Sequence, residues 1–331
     1  MTSIATADPA RRKGPLGRLL NRGPGKPRKD VRRRIGENPI TPYLFLLPHF
    51  AIFSVFILFP FFLAIWISMH DSTGIREGPF VGLRWFQQIF DPNNRFLAPR
   101  FWNTLWNTIL FVFMSTPLQV GFGLLLATLL NQRLRGRNLF RAIYFVPWTL
   151  SVSVVGLIWW WMFNGNAGFV TEAMRTLTGG SPNWLASNPW AWVSILIATL
   201  WWTIGFNTII LLAGMQGISA DLYEAAAVDG ANKWQQFRSI TLPSLRPILL
   251  LVITLQIIAS FQLVGQPQLM TGGGPPSPGG GETNPVLLHI YNTGFTGRRE
   301  ISQAAAMSLV VAAIMVIVSV ANFRLFSSER S

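Results

Sequence analysis

The sequence predicts an all-α integral membrane protein of six transmembrane helices with both termini in the cytoplasm. Three observations carry this expectation. First, half of the 331 residues are hydrophobic and only 12% are charged, against about 25% in soluble domains. Second, six apolar runs cover residues 43–69, 105–130, 143–163, 190–214, 247–266 and 303–323, and none contains Asp, Glu, Lys or Arg. Each is long enough for a helix across a bilayer core of about 30 Å, where a charge costs at least about 2.5 kcal/mol. Third, Lys and Arg alternate from side to side. With the N-terminus inside, segments 1–42, 131–142, 215–246 and 324–331 hold 11, 4, 3 and 2 of the 27 basic residues, and the outer loops hold 4, 1 and 2. That bias sets orientation.

Residues 1–40 form a basic, Gly- and Pro-rich arm with few large apolar groups. It should be disordered or loosely bound to an anionic membrane face. The net charge of +14 resides largely here, since eleven basic residues fall between 11 and 34, so it argues for a lipid surface and not for nucleic acid. The first apolar run is too long for the core of a cleaved signal. Residues 41–326 form one six-span domain, and 327–331 a short cytoplasmic tail. Pro48, Pro60, Pro117 and Pro147 lie inside spans, where neighbouring helices tolerate kinks. Arg133, Arg135, Arg137 and Arg141 mark the short second cytoplasmic loop, and Trp159, Trp160 and Trp161 form an aromatic belt at the outer end of the third span. There are no cysteines, which excludes disulfides and thiolate metal sites, and His49, His70 and His289 are scattered, so no metal site is expected.

The cytoplasmic segment 216–246 is longer than a connector requires. Ser219 is placed to cap a helix with Asp221 in its first turn. Gly230 is placed to end that helix in a left-handed conformation. A second short helix is expected from Asn232 to about Ile240, stopped by Pro243 and Pro247.

Within this segment Glu224-Ala225-Ala226, Gly230, Ile240 and Leu242-Pro243 reproduce, without mismatch, the spacing of the "EAA" loop. The chain thus resembles the permease subunits of binding-protein-dependent ABC importers. The Asp229-Gly230-Ala231 form is similar to the carbohydrate branch, nearest its maltose and glycerol-phosphate type of subunit. Leu269 to Pro275, Arg137 to Pro147 and Tyr43 to Pro60 resemble that branch as well. The resemblance spans about residues 40–326 and implies the type I ABC importer permease fold in a bacterial inner membrane. It implies uptake of a mono-, di- or oligosaccharide delivered by an extracytoplasmic solute-binding protein. The implied partners are a second permease subunit, two ATP-binding subunits and membrane lipid. ATP and Mg are expected on those partner subunits and no cofactor on this chain, which lacks a G-x-x-x-x-G-K-[ST] phosphate loop. The residues implied to dock the ATPase are Tyr223, Glu224, Ala225, Ala226, Asp229, Gly230, Ala231, Ile240, Leu242 and Pro243, with Glu224 supplying a charged contact and the alanines close approach.

A sugar path needs aromatic faces and amide or hydroxyl groups near the midplane. Trp202 and Asn207 in the fourth span and Gln256, Ser260 and Gln262 in the fifth are the candidates, although polar side chains in spans also serve simply to join helices. Glycerol phosphate, a polyol or another small solute is the alternative cargo. A self-sufficient secondary transporter should carry intramembrane acids, which the runs lack. No catalytic set is present, so no enzymatic activity is expected.

Overall fold

The computed structural model describes residues 41–72, 78–132, 135–276, 281–296 and 300–327. The basic arm 1–40, Arg133 of the second cytoplasmic loop and tail residues 328–331 lie outside the described residues. Among the described residues the secondary structure is helical, apart from an isolated bridge between His70 and Phe80. Contacts divide the chain into two compact units, one ending at Phe61 and one beginning at Phe62.

The first unit contains α1 (Thr41–Phe53) and a π-turn (Ser54–Leu58), which lead into α2 (Phe59–Ser68). The second contains α3 (Arg84–Phe90), α4 (Leu97–Asn131), α5 (Arg137–Phe145) with a 3-10 turn (Val146–Thr149), α6 (Val152–Met162), α7 (Phe169–Thr178) and α8 (Trp190–Gln216). It continues with α9 (Ala220–Val228), α10 (Lys233–Gln236), a π-turn (Phe237–Thr241), α11 (Leu242–Phe261), a π-turn (Pro267–Thr271), α12 (Val286–Phe295) and α13 (Ile301–Ser327). Five helical stretches are long and apolar enough to cross a membrane: Tyr43–Ser68, Leu97–Asn131, Trp190–Gln216, Lys233–Phe261 and Ile301–Asn322.

Three expectations need correction. The helix that carries the second run begins ahead of residue 105, at Leu97, where Asn94 Oδ1 accepts the otherwise orphaned N–H groups of Phe96 and Leu97 at 3.0 and 2.9 Å. The third run, 143–163, is not one helix. α5 with its 3-10 turn meets α6 at a change of direction of 100°. Leu150 and Ser151 are extended there, and the Ser151 hydroxyl caps α6 by accepting from Val154 N at 3.4 Å. Pro147 contributes, since it has no N–H with which to continue an α-helical ladder.

The third correction concerns Pro243 and Pro247, which do not stop the helix. Helix runs from Lys233 to Phe261, so the helix that carries the fifth span begins ahead of the apolar run 247–266 and ends before 266. The π-turn is what carries the chain past Pro243: Leu242 N–H reaches Phe237 O, one residue further back than an α-helix would allow. The wider turn makes room for the proline ring against the preceding carbonyls. The same device stands before Pro60, where Phe59 N–H reaches Ser54 O.

In the second unit α4 and α8 pack along most of their length and α11 lies against both. Gly205 lets α5 approach α8 closely. A Cβ there would sit 2.0 Å from the Tyr144 carbonyl oxygen. At one end, Ala127, Leu130, Leu211, Leu212, Met215 and Leu245 form a buried apolar cluster beneath α9 and α10. At the other, the loop before α12 is pinned to α4. Asn107 Nδ2 donates to the carbonyls of Gly281 and Asn284 at 3.0 and 3.1 Å, and Thr108 Oγ1 accepts from Val286 N at 2.9 Å.

Candidate functional site

The segment between α8 and α11 is built from self-satisfying local elements. Ser219 Oγ accepts from Asp221 N at 3.3 Å and opens α9. The helix closes in a Schellman turn: Ala231 N–H reaches Ala226 O at 2.8 Å and Gly230 N–H reaches Ala227 O at 3.1 Å. Gly230 has φ +82°, as that turn demands. Asn232 and Gln235 then form a reciprocal capping box that starts α10. Both helix starts and the bend match the expectation from sequence.

Three contacts stiffen this hairpin, two of them joining it to the π-turn that follows. Tyr223 Oη lies 2.8 Å from Thr241 Oγ1 in the π-turn. Buried Gln236 donates Nε2 to Ala231 O at 3.1 Å. Trp234 stacks on Phe237 with ring centroids 5.6 Å apart. Because helix continues unbroken from Lys233 into α11, displacement of α9 and α10 is displacement of a span.

The outer surface of the hairpin is open. Leu222, Ala225 and Val228 follow at intervals of three along α9, and all are exposed, Val228 at 88% and Leu222 at 50%. Trp234 is 67% exposed beside them in sequence order on α10. Glu224, Asp229, Gly230, Leu242 and Pro243 are also exposed, whereas Ala226, Ala231 and Ile240 are half-buried and Tyr223 is held by Thr241. Glu224 is exposed and joins neither the Arg84–Asp71 nor the Arg175–Glu172 ion pair, which leaves its carboxylate displayed for a charged contact. The implied docking residues therefore divide into a displayed set and an anchoring set.

The candidates for the substrate path occupy a different part of the molecule. Gln119 Oε1 accepts from Thr203 Oγ1 at 2.6 Å and also from Gln256 Nε2, so one buried amide oxygen joins α4, α8 and α11. One turn away, Ser115 Oγ and Ser260 Oγ lie 3.0 Å apart. In the opposite direction Asn207 packs beside Gly123, where a Cβ would meet its Cβ at 3.1 Å. Gln256, Ser260 and Asn207 are buried at 5%, 4% and 1% exposure. Gln256 and Ser260 belong to a polar seam between helices of this chain, whereas the buried Asn207 Nδ2 has no hydrogen-bond partner among the described residues. Trp202 spans the bend in the third run, donating Nε1 to Leu150 O at 3.2 Å. Trp148 stacks on Phe206 at 4.7 Å and lies 5.8 Å from Trp202. Gln262 stands apart, exposed at the end of α11.

Sequence reasoning missed Gln119, Thr203 and Ser115. Their signal was spacing: Ser115 and Gln119, Thr199 and Thr203, and Gln256 and Ser260 each recur at four residues, which places each pair on one helix face.

The model of the binding-protein-dependent transport system inner membrane component matches residues 119–328. The chain belongs to this family. It is a permease component of an inner membrane transport system, and ATP hydrolysis belongs to separate subunits. It is 37% identical to the trehalose/maltose transport system permease protein MalF of Thermococcus litoralis over 85% of this chain and 94% of that protein. It is 31% identical to the sn-glycerol-3-phosphate transport system permease protein UgpA of Yersinia pestis over 86% of this chain and 92% of that protein. Its fold is that of a solved bacterial alginate ABC transporter in complex with an alginate pentasaccharide-bound periplasmic protein, at TM-score 0.73 and 21% identity, covering 85% of this chain and 92% of the solved one. The expected type I importer permease fold is borne out.

Proposed function

We propose that the chain is one of two permease subunits of a sugar importer driven by two ATP-binding subunits, and that α9 and α10 dock one of those subunits. The observation that supports this most strongly is the hairpin: capped at each start, closed by a Schellman turn, tied to Thr241 and continuous with α11. Such a piece moves as a unit, which a flexible linker cannot. Leu222, Ala225 and Val228 supply its apolar docking strip and Glu224 a charge-assisted contact. The cytoplasmic location of the hairpin follows from the Lys and Arg bias.

A mono-, di- or oligosaccharide delivered by an extracytoplasmic solute-binding protein is the cargo. The trehalose/maltose relative supports this reading, and it has the higher identity of the two relatives compared above. Trp202 and Gln262 retain accessible surface for cargo, Gln256 and Ser260 act by holding α11 to α4 along the path, and Asn207 packs beside Gly123 of α4.

The test is ATP-driven uptake of radiolabelled trehalose, maltose and glycerol 3-phosphate by the complete importer in proteoliposomes, with its binding protein present. Sugar uptake that Trp202→Ala reduces in an assembled complex supports the reading. Uptake of glycerol 3-phosphate alone would replace the cargo while leaving the coupling intact.

A further inference from the structure

At the end of the bundle next to the coupling hairpin, α5 presents two arginines to α8. Arg137 and Arg141 are four residues apart and leave the helix on one face. With the amide oxygen of Gln216 turned toward them, each guanidinium donates an Nη2 group to it, at 3.1 Å from Arg137 and 2.7 Å from Arg141. A neutral oxygen compensates neither charge. Among the described residues, the Arg84–Asp71 and Arg175–Glu172 ion pairs do not involve these two arginines. Arg141 Nε is closed off from solvent and has no partner. Two five-donor forks thus converge on one acceptor, and their mutual repulsion in a partly desolvated place favours an anion between them. Exposed Arg135 adds a third positive charge at the start of the same helix.

Depth and shape select the anion. Gln216 is the last residue of a 27-residue apolar helix, which puts the pair at headgroup level. Leu139, Phe140 and Ile143 project from the side of α5 away from the arginines and are exposed, Leu139 at 65%. A basic and apolar amphipathic helix at this depth matches an anionic membrane surface, with a lipid phosphate for the forks and the hydrocarbon boundary for the apolar side. We propose that Arg137, Arg141 and Gln216 bind the phosphate of an anionic phospholipid at a bilayer surface in which the opposite, apolar side of α5 is seated. The site lies three residues before Ser219, the cap of α9, so the lipid braces the stem of the coupling hairpin. It is independent of which solute is carried.

Native mass spectrometry of the complete importer, taken from nanodiscs of phosphatidylcholine doped with phosphatidylglycerol, tests the site. The wild type should retain one more phosphatidylglycerol per copy of this chain than the Arg137→Gln/Arg141→Gln variant, with affinity falling about tenfold per arginine. If that variant does not assemble, Arg137→Lys/Arg141→Lys keeps the charge without the planar fork and should bind with intermediate affinity. Equal retention in wild type and variants overturns the proposal. So does binding of added inorganic phosphate with no retained phosphatidylglycerol, which makes the ligand a free anion. Loss of the ATP-binding subunits with the lipid retained also overturns it, because the arginines then serve a protein carboxylate.

Discussion

Gly230 combines a demanding backbone with an empty neighbourhood. Its φ is +82°, and a Cβ there would meet nothing within 4 Å. Gly230→Ala should therefore strain only the backbone, by about 1–2 kcal/mol, and leave the bundle inserted. Uptake should fall while the amount of assembled complex stays near wild type, measured on the same proteoliposomes. Gly205 is the opposite case. A Cβ would collide with the Tyr144 carbonyl, so Gly205→Val should lower the yield and melting temperature of the purified complex. His289 on α12 carries a pH signature. Burial first, and Arg100 second, push its imidazole down to about 4, from an unperturbed value of about 6.5. The folded value lies below the unfolded one, so the unfolded chain takes up the proton first. The associated stability is full above pH about 6.5 and is lost as pH falls toward 4. Thermal unfolding of the wild-type complex should weaken across that window, and His289→Leu should flatten this part of the profile.

Helices in this chain are joined by shared polar atoms as much as by apolar packing. Gln119 serves two partners at once, so replacing it leaves Gln256 without its acceptor and Thr203 with the Thr199 carbonyl alone. A double-mutant cycle of Gln119→Leu and Gln256→Leu should give a coupling of about 0.6–1.7 kcal/mol, the range seen for hydrogen bonds inside bilayers. A coupling near zero would mean that the seam is held by apolar contacts alone. The elements also show what a sequence can disclose. Apolar runs revealed all five long helices, since composition decides membrane insertion residue by residue. Caps at Ser219 and Asn232 and the bend at Gly230 were legible because each depends on a side chain, or its lack, within four residues. The passage of helix through Pro243 was not legible, because a π-turn upstream resolves the clash and leaves no compositional mark. The 100° break in the third run was not read either, although Pro147 and Ser151 lie in it; Trp202 of another helix donates to the Leu150 carbonyl at the break. Gln256 and Ser260 were correctly placed on one face, but their partners on α4 lie more than a hundred residues away.

At the scale of the molecule, two connections lead from the coupling hairpin into the membrane helices. One is covalent and direct: α10 runs into α11, and Gln256 carries any movement to α4 and α8. The other passes back along α8 from Gln216 to Arg137 and Arg141, then through the close approach at Gly205 and the Trp202–Leu150 contact to the bend in the third run. Rocking of such a bundle by an external motor needs a hairpin that is seized from outside and is rigid within. The most direct measurement of that requirement is site-specific cross-linking, which is simple here because the chain has no native cysteine. Ala225→Cys, on the exposed strip of α9, should form a cross-link with an ATP-binding subunit in the assembled importer, and its yield should change when ATP is added. Labelling of Ala225→Cys by a membrane-impermeant thiol reagent applied from outside the cell, with no cross-link to an ATP-binding subunit, would contradict the assignment of this hairpin as the coupling surface.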